Sequence, residues 1–397
     1  MQIVDYCTGE LPFALTLYVL RFTPYGTSMR VAIVHDYMNQ FGGAERVLWV
    51  VHEIFPEAPV YTILMDMASL PTRFRELKVT PTFIQHLPFA RSQYEKYILL
   101  FPTAIEQIDL SSFDLVISIS SAWAKGCLTN PSTCHLSYIL SPMRFVWERY
   151  YERMRGTASR GNRTVFRFVS NYLRMWDKIA AERPDYIITL SKEVKRRIKK
   201  YYRREADIIY PPCDTSFFTI DPKLSVQDFF LIVSRLRPYK RIDIAIEAFN
   251  RLGLPLLIIG EGSERGRLER LSRRNIQFLG RVSDEEVRSY VRRAQALVFP
   301  GLEDFGITPV EALACGTPVI AYRGGGLLES MLEGVTGRFF DLQEYESLVE
   351  AVKGFDRGRY DRNRIREHAL KFSREAFKEK FGALYLKLYE EYNGVKS

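Results

Sequence analysis

The chain has 397 residues, 47% hydrophobic and 26% charged. That composition fills sizeable cores and excludes a disordered chain, and the length sets a prior of two domains. Lys and Arg outnumber Asp and Glu by 56 to 47, a balance that favours an anionic partner. The longest apolar run, Phe13–Leu20, falls well short of the roughly 20 residues that span a bilayer.

Taken in chain order, residues 1–28 read as an extension of unknown role. Phe13–Leu20 resembles the apolar stretch of a signal peptide, but Asp5 and Glu10 stand where a basic region is needed, and no small-x-small cleavage site follows. From Met29 the pattern changes. Arg30–Val34 predicts a buried strand, then a Gly42-Gly43 turn, then a helix carrying Val47, Leu48, Val51, Ile54 and Phe55 on one side. Val60–Leu64, Asp114–Ser118, His135–Leu140, Pro184–Leu190 and Asp207–Tyr210 predict further strands, with helices over 165–180 and 193–202. Tyr210-Pro-Pro-Cys-Asp-Thr is a stiff connector. Beyond it, Phe229–Ser234, Pro255–Ile259, Asn275–Leu279, Ala296–Pro300 and Thr317–Ala321 alternate with helices near 240–252, 263–273, 284–293, 307–314 and 326–332. A last helix over 374–392 has no strand after it. Such alternation predicts an α/β protein with two doubly wound parallel sheets. Ligands of two such domains belong at the carboxyl ends of the strands, in a cleft.

The five cysteines, Cys7, Cys127, Cys134, Cys213 and Cys315, are odd in number and scattered, without a CxxC. This argues against a disulfide framework or a zinc site and fits a reducing cytoplasm. The positive charge is concentrated. Residues 144–204 hold 18 Lys and Arg against 6 Asp and Glu, with aromatics interleaved. That segment reads either as a helix with a core face and a solvated basic face, or as a surface for an anionic membrane. No nucleic-acid-binding signature accompanies it.

Three segments carry chemistry. Glu303-Asp-Phe-Gly-Ile-Thr-Pro-Val-Glu311 follows a strand and opens a helix. The amides of Gly306, Ile307 and Thr308 then lie at a helix start, where N–H groups lack partners and the dipole favours an anion. Two flanking carboxylates suit vicinal diols, and a nucleotide sugar carries both kinds of group. Ser234-Arg-Leu-Arg-Pro-Tyr-Lys-Arg241 places Arg235 and Lys240 at a strand end and a helix start, where they would neutralise a diphosphate. Asn39-Gln-Phe-Gly-Gly-Ala-Glu45 is a glycine turn that lets backbone approach a phosphate; it is not GxGxxG, so no dinucleotide cofactor is indicated.

In this order the segments resemble the GT4 family of retaining glycosyltransferases, which have the GT-B fold: two Rossmann-like domains facing a central cleft. The resemblance rests on Glu303-x7-Glu311, Ser234-Arg-Leu-x3-Lys240, Phe278-Leu-Gly-Arg-Val282 and Glu311-Ala-Leu-Ala-Cys-Gly-Thr-Pro-Val-Ile-Ala321. Val31-Ala-Ile-Val-His-Asp-Tyr37, Ser141-Pro-Met-Arg-Phe-Val-Trp147 and Tyr210-Pro-Pro-Cys-Asp214 resemble a narrower branch, the bacterial O-antigen and exopolysaccharide mannosyltransferases that use GDP-mannose. The resemblance implies a hexosyltransferase at the inner face of the cell membrane that moves mannose to a lipid-linked glycan. It implies an acceptor domain over 29–213, a donor domain over 214–374, and a helix over 375–397 that returns to the first domain.

It also implies roles. Glu303 would contact the donor sugar, Glu311 the ribose diol, and Arg235 with Lys240 the diphosphate. Amides from Phe305 to Thr308 would bind sugar and phosphate, and Gly42 with Gly43 would close on the diphosphate. Val282 would meet the base through its backbone and Asp284 would accept from guanine; Ser283-Asp-Glu-Glu reads equally as a helix cap. His35, Asp36 and Arg144 are acceptor-side candidates. Relatives carry histidine where this chain has Leu140, and some have another at Ser121, so a side-chain base is in doubt. No DxD occurs, so no metal is expected to bridge the diphosphate. Competing readings are a UDP-sugar donor, a nucleotide-sugar epimerase or hydrolase, and a basic nucleic-acid-binding protein.

Overall fold

The computed structural model describes residues 29–156 and 159–394; the extension 1–28 lies outside them. The chain divides into two compact units. Unit 1 runs to Leu190, continues over Val194–Ile209 and resumes at Phe377; unit 2 is Ser191–Glu193 with Tyr210–Ala376.

Among the described residues, unit 1 holds seven strands: β1 Val31–His35, β2 Val60–Thr62, β3 Val79–Pro81, β4 Leu115–Ser120, β5 Cys134–Ile139, β6 Tyr186–Thr189 and β7 Asp207–Ile208. They form one sheet in the order β3-β2-β1-β4-β5-β6-β7, and every pairing is parallel. β1, β4 and β5 are buried at every residue, as a parallel sheet covered on both faces requires. One core of the unit joins β1 and β4 to Phe101, Trp123, Leu173 and Trp176.

Unit 2 repeats the plan with β8 Phe230–Val233, β9 Leu256–Ile259, β10 Ile276–Gly280, β11 Leu297–Phe299, β12 Val319–Tyr322 and β13 Gly337–Phe340. The order is β10-β9-β8-β11-β12-β13, again all parallel. Leu231, Ile258, Val298 and Ile320 are fully or almost fully buried in it. The helix Arg374–Gly394 begins in unit 2 and joins unit 1 from Phe377. There Phe377 meets Tyr138 with ring centroids 6.0 Å apart, Tyr385 meets Phe55 at 5.3 Å, and Lys378 pairs with Glu53 at 2.8 Å.

The sequence expects six strands in the first half and five in the second. Each sheet has one more, β3 and β13, and both are edge strands. Val79-Thr-Pro81 has a single apolar residue before its proline, and Gly337 opens β13. Neither presents an apolar run: β3 is partly exposed throughout, and Gly337 and Arg338 leave β13 only two apolar residues.

Candidate functional site

Both sheets reverse their winding once, between β1 and β4 in unit 1 and between β8 and β11 in unit 2. In open parallel sheets, ligands bind outside the carboxyl ends of the strands at this switch point. In unit 2 the segment after β8 carries Arg235 and Lys240, and the segment after β11 carries Glu303. The fold brings these two motifs together. Lys240 Nζ donates to Glu303 Oε1, and both side chains are mostly buried, at 16% and 19% exposure. Lys240 Nζ also stands 5.6 Å from the Phe299 ring centroid and 5.4 Å from that of Tyr239. Arg235 is exposed nearby on the β8 loop.

The helix Ile307–Ala314 starts beside Glu303. Its N-cap is Gly306, at φ +88°, a residue with no side chain of its own to cap the helix. A Cβ at Gly306 would fall 2.3 Å from Leu327 Cδ2, so glycine is required by backbone and by space. Glu311, on this helix, is 5% exposed. Phe305 is buried, its ring 5.5 Å from Tyr210 and 5.3 Å from Phe372; it anchors the loop through packing. The switch point therefore joins a cation and a carboxylate beside a helix that opens on glycine and carries the buried Glu311, a set that suits a phosphorylated, hydroxyl-rich ligand.

One supporting feature escaped the sequence reading. Gly326 N donates to Glu303 O at 2.9 Å. A Cβ on Gly326 would lie 2.2 Å from Asp304 O. The run Gly324-Gly325-Gly326 is thus what lets the loop after β12 lie against the backbone of 303–305, and it was visible as a triple glycine.

Val282 and Asp284 follow β10, the sheet edge. Val282 is half-buried and Asp284 exposed. The cap of helix Asp284–Arg293 is Ser283, whose hydroxyl accepts from Glu286 N at 3.2 Å while Glu286 Oε2 accepts from Ser283 N at 2.9 Å. These bonds from Ser283 hold the Glu286 carboxyl below its ordinary value. The cap leaves Asp284 outside this reciprocal pair.

The candidates of unit 1 are differently placed. Asp36, just past β1, is 2% exposed. Its Oδ2 accepts from Ser121 N, Ser121 Oγ and Ala122 N at 2.7, 2.7 and 2.8 Å, and its Oδ1 from Trp123 N and Ala124 N at 2.9 and 2.6 Å. Five donors fill this carboxylate, so Asp36 ties β1 to the loop after β4 across the switch point. His35 is 1% exposed, with Nε2 3.6 Å from Glu45 Oε1. Glu45 Oε2 in turn accepts from Gly42 N at 2.7 Å, so the Gly42 amide is already engaged, while Gly43 is exposed. Arg144 is half-buried, 3.6 Å from Glu148. His135 is fully buried in β5, with Nε2 2.9 Å from Ser118 Oγ. Burial holds its pKa down to about 3, with Arg183 adding to the effect, so it is a neutral core histidine.

The fold is of the GT-B class, as two solved structures show. A sucrose-phosphate synthase from Thermosynechococcus elongatus superposes with a TM-score of 0.72 at 19% identity, over 91% of this chain and 100% of that one. HepE of Anabaena, solved in complex with UDP, gives 0.67 at 17% identity over 90% and 100%. Residues 218–372, within unit 2, match the model of the family described as glycosyl transferases group 1. Curated relatives agree. An uncharacterized glycosyltransferase of Methanocaldococcus jannaschii, MJ1178, is 30% identical over 223 residues, 55% of this chain and 63% of that protein. The D-rhamnosyltransferase WbpZ of Pseudomonas aeruginosa is 30% identical over 188 residues, 43% and 47%. The chain thus spans about half the length of the curated relatives it matches.

Proposed function

We propose that the protein is a retaining glycosyltransferase that moves a hexose, mannose from GDP-mannose, to a lipid-linked glycan in surface polysaccharide synthesis. The observation that carries this reading is the pairing of Lys240 with Glu303 at the unit 2 switch point, beside the glycine-opened helix Ile307–Ala314. Unit 2 takes the donor. Lys240 and Arg235 neutralise the diphosphate, the amides of Gly306–Thr308 hold phosphate and sugar oxygens, and Glu311 accepts from the ribose diol. A diphosphate competes with Glu303 for Lys240, which frees Glu303 to accept from the sugar hydroxyls and to stabilise positive charge at C1. Val282 meets the base through its backbone and Asp284 accepts from guanine. Unit 1 takes the acceptor, and the exposed Gly43 at its helix start is the backbone left free of Glu45 for a phosphate.

The chemical step breaks the bond from C1 to the diphosphate oxygen and forms one from C1 to the acceptor hydroxyl on the same face. The departing diphosphate accepts the hydroxyl proton. This route suits unit 1, where Asp36 is saturated, His35 is buried against Glu45 and His135 is held neutral. Glu303→Ala and Glu311→Ala should each abolish sugar transfer to a lipid-linked acceptor without unfolding the protein. Full transfer by both variants would refute the site. Release of free sugar from the donor at the same rate with and without acceptor would favour a hydrolase.

A further inference from the structure

The helix Arg160–Ala180 in unit 1 has two apolar faces. The sequence leaves two readings of this segment open, a core face with a solvated basic face opposite, or a surface for an anionic membrane. The structure divides the helix's apolar positions. Leu173, Trp176 and Ala180 are buried, with Val169 packed against the same core. Val165, Phe168, Tyr172, Met175 and Ile179 are exposed at 63%, 74%, 42%, 54% and 56%. Their spacing of three and four residues places all five on one stripe of the helix. Single exposed apolar residues need no explanation, but a contiguous row marks an interaction surface.

The charges beside the stripe select its partner. The described part of this helix carries one carboxylate, Asp177, and it faces inward. Asp177 is fully buried, accepting from Lys125 Nζ at 2.5 Å, Trp147 Nε1 at 2.7 Å and Tyr202 Oη at 2.8 Å. Arg167 and Lys178 are exposed at the margins of the stripe, with Glu182 3.4 Å from Lys178 beyond the helix end. A second copy of the helix would set the same cations against these. An anionic lipid surface complements them and also takes the apolar row into its acyl boundary. No helix among the described residues is long and apolar enough to cross a membrane, so the contact is an interfacial one.

We infer that the stripe Val165–Phe168–Tyr172–Met175–Ile179 lies in the surface of an anionic phospholipid bilayer, with Arg167 and Lys178 at the headgroups. The helix Lys192–Tyr202, the most densely basic stretch of the sequence, exposes none of its large apolar side chains and can add only charge at the headgroups. Its Arg197 is 4% exposed and ion-paired with Glu148, and its Lys199 pairs with Glu205 at 2.6 Å. The inference stands apart from the transfer reading, because none of these residues belongs to the donor site.

The test is flotation of the full chain with vesicles of phosphatidylcholine, and of phosphatidylcholine mixed with phosphatidylglycerol. The chain should float with the mixed vesicles and much less with the neutral ones. Phe168→Ser/Met175→Ser should abolish flotation. Arg167→Gln/Lys178→Gln, two surface changes that leave the core untouched, should weaken binding to mixed vesicles by about thirtyfold, as each Lys or Arg near such a surface is worth about 1 kcal/mol. Circular dichroism and thermal unfolding of both variants should match the parent. Equal flotation of parent and both variants overturns the inference. So does a parent dimer in light scattering that Phe168→Ser/Met175→Ser dissociates, or oligonucleotide binding that this variant removes while vesicle binding persists.

Discussion

Asp36→Ala separates two roles for one carboxylate. The sequence places Asp36 on the acceptor side of the reaction, whereas the structure surrounds it with five donors from the loop 121–124. Ala122, Trp123 and Ala124 are buried, so the substitution strands three backbone N–H groups away from water. At about 1–3 kcal/mol for each unsatisfied group, and with relief from desolvating the charge subtracted, the expected loss is about 4 kcal/mol. The chain supplies its own probe: all four tryptophans, Trp49, Trp123, Trp147 and Trp176, lie in unit 1. Urea unfolding followed by tryptophan fluorescence therefore reports unit 1, and Trp123 sits in the loop that Asp36 holds. Asp36→Asn should also destabilise, because the amide NH2 faces donors. A variant that unfolds within about 1 kcal/mol of the parent, yet loses sugar transfer, would refute the structural role and restore the acceptor-side one.

Further outcomes follow from buried groups. Lys125 and Asp177 are both fully buried, so Lys125→Met leaves an uncompensated carboxylate and should cost unit 1 about 3 kcal/mol in the same urea assay; no change would mean that the pair carries no charge. His135 is held near pKa 3 in the fold by burial and titrates near 6.5 when unfolded. Between those values the unfolded chain binds the extra proton, so stability falls as pH falls, by up to about 1.4 kcal/mol per pH unit. His135→Gln should flatten that slope between pH 6 and 4, values lying within the window set by the two pKa values; an unchanged slope would place the acid sensitivity elsewhere. Gly326→Ala, whose Cβ would meet Asp304 O at 2.2 Å, should displace the Glu303 loop. Its signature is loss of nucleotide binding, with the tryptophan-monitored unfolding of unit 1 unchanged.

The fold was legible because parallel sheets write themselves as apolar runs: Val31–Val34 and Phe230–Val233 are unbroken, and β4 and β5 are interrupted only by Ser118, Ser120, His135 and Ser137. The edge strands β3 and β13 were not, having no such run. In the donor site, Lys240 and Glu303 were readable as separate motifs, and only the strand order shows that they touch. On the acceptor side, His35 and Asp36 stand at a switch point, where sequence position favours a ligand; the structure adds that the loop after β4 fills the Asp36 carboxylate and that His35 is buried with Glu45 beside its Nε2. For the helix Arg160–Ala180, a period near 3.6 shows that apolar residues share faces, and only the structure shows which of those faces is exposed.

On the proposed function, the unit 2 switch point binds a nucleoside diphosphate through Lys240 and Glu311. Calorimetric titration of the full chain with GDP, UDP and ADP measures this directly. GDP should bind most tightly, and Lys240→Ala and Glu311→Ala should each weaken it by about tenfold or more, the loss of one charge-assisted contact. Binding of UDP alone would contradict the guanine role of Asp284. GDP binding unchanged in both variants would contradict the site itself.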